Sequence, residues 1–108
     1  MLDLKLCELK NILLESRDVD ILLLKTTEGE LGIMKGHESM VLELSPGPHR
    51  IKFSGGKEKY FYTLRGMASV TQEGVQIFSV KCLVSEKQIE DFMKQLEIKI
   101  IEQKEYDY

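Results

Sequence analysis

The chain has 108 residues, 43% of them hydrophobic, and a formal net charge of −3. That length suits one domain with a modest core. With 15 basic against 18 acidic residues and no basic cluster, there is no electrostatic footprint for nucleic acid, and no segment nears the ~20 apolar residues of a membrane span.

Leu2, Leu4 and Leu6 alternate with Asp3 and Lys5, the period of a half-buried strand. The same stretch lacks the long apolar core of a secretory signal, so the expectation is a cytosolic protein whose membrane association comes only through a partner. Asn11 to Leu14 and Val19 to Leu24 are short apolar runs on either side of Arg17-Asp18, too short for stable helices, and are expected as strands. Glycines at 29, 32 and 36 punctuate Leu31, Ile33 and Met34, which predicts a loop, a brief strand and a second loop ending at His37. Val41 to Leu44 and Arg50 to Phe53 flank a Pro46-Gly47-Pro48 turn, and the two prolines are expected to stop either strand from running through. Ser54-Gly55-Gly56-Lys57 predicts a hairpin into Tyr60-Phe61-Tyr62, and Glu73-Gly74 predicts another between Met67 to Thr71 and Val75 to Val80. Short strands with turns every ten or so residues describe a mainly β chain, a sandwich or barrel of antiparallel strands.

The pattern changes at Ser85. Ser85-Glu86-Lys87-Gln88 reads as a capping box, and Glu86 suits the positive end of a helix dipole. Ile89, Phe92, Met93, Leu96 and Ile100 then recur at helical spacing, with Lys99 and Lys104 at the negative end. The reading is residues 1–84 as a β-sandwich domain and 85–108 as one amphipathic helix, to about Lys104, with a frayed tail. The apolar stripe is expected to pack on the sandwich, with docking on a partner helix as the alternative.

Little in the chain carries chemistry. There is no nucleophile elbow and no phosphate-binding loop, and Gly55-Gly56-Lys57 reads as a plain turn because no helix follows it. Cys7 and Cys82 are expected as reduced, partly buried thiols; a disulfide between them needs an oxidising compartment. Neither His37 nor His49 has zinc-ligand spacing with a cysteine, so no metal, cofactor or catalytic residue is assigned.

The run Glu28-Gly29-Glu30-Leu31-Gly32-Ile33-Met34-Lys35-Gly36-His37, then Pro46-Gly47 before Arg50-Ile51, resembles the epsilon subunit of F-type ATP synthases across the first four fifths of the chain. Tyr60-Phe61 to Val70 and Val75 to Val80 look like further strands of that family. Lys35 stands where the family usually has proline, Glu38-Ser39-Met40 replaces an alanine-proline-leucine run, and Arg65-Gly66-Met67 replaces a glycine pair. The family's C-terminal two-helix hairpin is here cut to room for one helix, a short form of the subunit.

The resemblance implies a non-catalytic rotor component of the central stalk, on the cytoplasmic face of the inner membrane. Its partners would be the gamma subunit and the c-ring, with the catalytic-head subunits beyond. It implies contact with the ring through Glu28, Glu30, Leu31 and Ile33, where a carboxylate fixes register more than affinity. It implies contact with the rotor shaft through His37, Ser39, Val41 and Leu42. Lys35 loosens that loop, since proline's fixed φ is lost, and adds a positive charge beside Glu30. Some relatives bind ATP through isoleucine-aspartate, two variable residues, and arginine-alanine. Ile89-Glu90-Asp91-Phe92-Met93-Lys94 lacks the arginine and alanine, so nucleotide binding is not carried over. One helix of about 19 residues spans ~28 Å, so weak inhibition of ATP hydrolysis is expected. Two other classes stay open: a β-sandwich adaptor using the glycine-rich loop on an unrelated partner, and a small enzyme using Cys7 or the histidines.

Overall fold

The computed structural model describes the backbone of residues 1–106 and the side chains of residues 1–97. Seven strands precede one helix: β1 Leu2–Glu8, β2 Asn11–Thr26, β3 Gly29–Ile33, β4 Met40–Leu44, β5 Gly47–Phe53, β6 Glu58–Val70, β7 Gly74–Leu83 and α1 Glu86–Tyr106. The mainly β sandwich with a C-terminal helix is the architecture expected from the pattern.

Two long strands organise it. The residues 11–26 form one 16-residue strand rather than two short ones. Arg17 and Asp18 point to solvent without breaking the extended backbone, and Val19 beside them is fully buried. The residues before Val19 pair with β1, and those after it pair with β3 and β5, with a register shift between Val19 and Ile21. β6 does the same: Glu58 to Thr63 pair with β5, and Gly66 to Val70 with β4. β7 follows β6 along most of its length and then lies parallel to β1. The pairings β1–β2–β5–β6–β7–β1 therefore close a ring, while β3 and β4 widen the two long strands.

Inside the ring sit Leu2, Leu4, Leu6, Val19, Leu22, Leu24, Ile33, Ile51, Phe61, Val70 and Ile77, all nearly inaccessible. Each buried leucine, isoleucine or phenylalanine of this kind contributes roughly 1.5–3 kcal/mol. Gly74 permits the β1–β7 approach, because a Cβ there would lie 2.5 Å from the Asp3 carbonyl oxygen.

Neither strand runs through the proline turn, β4 ending at Leu44 and β5 starting at Gly47, but Pro48 itself lies inside β5, which begins before the expected Arg50. Pairing with β2 begins only at Arg50, so the missing N–H of Pro48 removes no bond on that side. The Gly55-Gly56 hairpin is as expected, both glycines having positive φ.

The helix starts at its expected cap: Ser85 Oγ accepts from the Gln88 amide at 3.1 Å. Its hold on the sandwich is narrow. Phe92 stacks on Tyr62 of β6 with ring centroids 5.3 Å apart; Ile89 and Leu96 are half-buried, and Met93 is 46% exposed. The expected roles of Lys99, Ile100 and Lys104, and the side chains of the tail, lie outside the described residues.

Candidate functional site

The resemblance pointed to two groups of residues, and β4 sets the distance between them. The first group surrounds the β2–β3 hairpin. Thr26 Oγ1 donates to the Gly29 carbonyl at 2.6 Å and accepts from the Glu28 amide at 3.2 Å, which fixes Glu28 at the exposed tip. Glu30 pairs in register with Lys25 and is exposed. It borders a hollow of about 220 Å³ shared with Lys25, His49, Arg50 and Tyr60. Arg50 leans towards Glu58 at 3.9 Å, and among the described residues Glu30 itself forms no ion pair. Leu31 is half-buried against the core, and Ile33 lies wholly inside it. Ile33 thus anchors β3 from beneath, and only Glu28, Glu30 and part of Leu31 present atoms to a neighbour.

The second group begins in the loop after β3. Gly36 takes a φ of +87°, its amide donates to the Gln72 carbonyl at 2.9 Å, and the His37 amide donates to Met34. The loop is thereby tied to the β6–β7 turn despite Lys35. His37 is half-buried, with Nδ1 donating to the Glu38 carbonyl at 2.9 Å. Ser39 is exposed, Val41 is 66% exposed, and Leu42 faces the core. At the other end of β4 the Thr27 amide bonds Glu43 and the Ser45 amide bonds Lys25, next to the β2–β3 hairpin. Glu28 and Glu30 therefore lie towards one end of β4, and His37 and Ser39 before its other end.

Val41 belongs to a larger surface that the sequence reading missed. With Leu9, Met67, Phe78 and Val80, each 46–67% exposed, it lines an apolar groove of about 500 Å³ whose rim carries Arg65. β4, β6 and the β1–β2 turn meet there. The registers explain the alignment: Met67 pairs with Phe78, and Leu9 donates its amide to the Ser79 carbonyl. Ser79 is turned inward, where its hydroxyl donates to the Cys7 carbonyl at 3.1 Å, and Val80 is turned out. A contiguous exposed apolar surface of this kind marks an interaction site.

Among the described residues His49 is one of three buried polar side chains, with Thr63 and Ser79. Its Nδ1 accepts from the Lys25 amide at 3.0 Å and its Nε2 donates to Thr63 Oγ1 at 2.8 Å. Burial, and then the Lys25 charge, lower its pKa from 6.5 to about 4. It is held neutral inside the sandwich, stacked 5.0 Å from Phe61. Burial pushes the Cys82 thiol up to about 11, which suppresses the thiolate a nucleophile needs. Both cysteines are free and buried. Among the described residues no three histidine, cysteine or acidic side chains gather to hold a metal, and no helix is long and apolar enough to cross a membrane.

Residues 1–83 match the family model of the ATP synthase delta/epsilon chain beta-sandwich domain. The chain is 34% identical over 86 residues to the ATP synthase epsilon chain of Elusimicrobium minutum, covering 79% of this chain and 63% of that one. It is 32% identical over 91 residues to the sodium ion specific epsilon chain of Propionigenium modestum, covering 83% and 64%. It thus spans under two thirds of the length of these relatives. Its fold is similar to a chain in the Euglena gracilis mitochondrial ATP synthase, with a TM-score of 0.72 at 24% identity over 90% of this chain and 64% of that one. A chain of the Tetrahymena thermophila mitochondrial ATP synthase central stalk and c-ring gives 0.64 at 18% identity, covering 77% and 66%.

Proposed function

Given that the chain belongs to the ATP synthase delta/epsilon beta-sandwich family, we propose that it is a non-catalytic epsilon subunit of an F-type ATP synthase. In this reading it sits in the central stalk on the cytoplasmic face of the membrane, binds the gamma subunit, and seats that shaft on the c-ring. Its membrane association comes only through the complex. Residues 1–84 form the seating domain and 85–108 the accessory helix.

The observation that carries the reading is the apolar groove around Met67 and Phe78, which includes Val41 from the expected shaft-contact segment. A stable seat needs more than roughly 1,000 Å² of buried surface, with an apolar centre. The groove supplies that centre, with His37 and Ser39 at its β4 end. Glu28 and Glu30, towards the far end of β4, would face basic loops of the ring and fix register.

Torque transmission asks for stiffness rather than chemistry. A proton crossing the membrane releases ~2.3 kcal/mol per 100 mV. A closed ring of strands around a packed core bears such increments with little deformation. The helix contributes less: it is gripped by one aromatic pair and spans about 31 Å. A rotor rebuilt with this 108-residue chain is expected to inhibit ATP hydrolysis weakly or not at all.

The test is size-exclusion co-elution with the gamma subunit from the same source. A stoichiometric complex that survives the column supports the rotor seat. Separate elution of two folded proteins refutes it.

A further inference from the structure

Arg65 has a φ of +52°, in the left-handed region that L-residues avoid. It lies in β6 between the half that pairs with β5 and the half that pairs with β4, where β6 turns from one neighbour to the other. Glycine takes this conformation without the Cβ penalty, and the next residue, Gly66, is one, but the bend itself falls on Arg65. Backbone geometry therefore argues against an arginine here, and a strained residue held at a surface groove points to a role for its side chain.

The location suggests that role. Among the described residues Arg65 is the one charged side chain lining the groove formed with Leu9, Val41, Met67, Phe78 and Val80. Of the nearby acids, one is engaged elsewhere and the other shares the exposed face without reaching Arg65. Glu8 Oε2 accepts from the Cys82 amide at 2.9 Å, and Glu43 stands opposite Met67 on β4. Among the described residues no carboxylate lies within ion-pair distance of Arg65.

We propose that Arg65 is a specificity residue of this groove and reads a carboxylate on the docked segment of the gamma subunit. The proposal rests on the rotor seat described above and names the partner's chemistry: an apolar segment that fills the groove and carries an aspartate or glutamate at the β6 bend. Charge complementarity argues for that occupant, because one guanidinium beside an apolar floor is satisfied by one acid on an otherwise apolar partner. Continuity argues for it too, since Val41 is shared with the expected shaft contact. A guanidinium takes a carboxylate bidentately, which fixes orientation as well as partner choice.

The experiment measures affinity for the isolated gamma subunit by titration calorimetry at low and high salt, using the full chain and three variants. Arg65→Gly relieves the backbone and removes the charge. Arg65→Asn removes the charge with a residue that tolerates the left-handed region. Arg65→Lys keeps the charge without the fork. The expected result is that Arg65→Gly raises the thermal midpoint yet binds gamma roughly tenfold more weakly. Arg65→Asn is expected to weaken binding equally, both variants to lose part of the salt dependence, and Arg65→Lys to fall between them and the natural chain. If the glycine and asparagine variants bind as tightly as the natural chain with unchanged salt dependence, the proposal is overturned and the rotor seat survives. If the natural chain itself does not bind gamma, both fall together.

Discussion

Lowering the pH should destabilise this domain through His49. The imidazole is 1% exposed, accepts from the Lys25 amide and donates to Thr63, so only the neutral ring fits its site. Protonation would remove the acceptor and put a second cation beside Lys25. The folded chain therefore resists the proton down to about pH 4, whereas the ordinary value is 6.5. Between those limits the unfolded state binds more protons than the folded one, so stability rises with pH across the window. It is fully present above about 6.5 and lost as the pH falls through about 4. At ~1.36 kcal/mol per pH unit the loss is about 3 kcal/mol, a large share of the 5–15 kcal/mol typical of a domain. The assay is urea unfolding followed by far-UV circular dichroism from pH 7.5 to 3.5, since the chain has no tryptophan. His49→Phe serves as the reference: it should cost roughly 1–3 kcal/mol at neutral pH by orphaning Lys25 N–H and Thr63. Carboxylate titrations common to both proteins cancel in the difference between them. That difference should shrink by about 3 kcal/mol on acidification. A difference that stays constant from pH 7 to pH 4 would refute the reasoning.

Gly74→Ala should destabilise by about 1–3 kcal/mol, because its Cβ meets Asp3 backbone and must part β1 from β7; chemical denaturation measures it. Phe92→Ala should reduce helical dichroism while leaving the thermal midpoint of the strands nearly unchanged, since the helix meets the sandwich mainly at Tyr62. A midpoint that falls with the helix signal would show that α1 supports the core. Met67→Asp with Phe78→Asp should leave the fold intact and abolish co-elution with gamma, both side chains being about half exposed on the groove. Retained co-elution would move the seat elsewhere.

The elements were legible where one face of a strand is apolar and the other polar, as in Leu2 to Leu6, and where glycines force a turn, as at Gly55-Gly56. The continuity of β2 was hidden because Arg17 and Asp18 look like an interruption, although a charged pair pointing outward costs an extended strand nothing. The break between β4 and β5 was legible from the prolines, but the early start of β5 was not: proline ends a strand only where a neighbour needs its N–H, and β2 does not yet reach Pro48. The groove was hidden more deeply. In β4 the exposed Val41 stands between the partly buried Met40 and Leu42, and in β7 the exposed Phe78 and Val80 flank the inward Ser79. An alternation of apolar with apolar carries no sign of which face is the core, and one whose polar residue is inside carries the wrong sign. Only the register of β4, β6 and β7 shows which side chains are left outside. His49 gave no signal either, since its partners Lys25 and Thr63 are far from it in the chain. The family motif pointed to the segments around Glu30 and His37, but it could not tell outward residues from Ile33 and Leu42, which face inward.

The parallel pairing of β1 with β7 also sets an order of events. The Ser79 hydroxyl closes on the Cys7 carbonyl across 72 residues, so the outer edge of the first strand has no partner until the last strand exists. At synthesis rates of ~5–20 residues per second, that edge waits roughly 4–15 s. During this interval Leu2, Leu4 and Leu6 belong to an incomplete sheet, the condition in which strands pair with the wrong chain. The alternating charges Asp3 and Lys5 stand along that strand and discourage such pairing. The arrival of β7 then completes the core and removes the exposed edge in a single step, making the end of the domain the moment at which its assembly becomes safe.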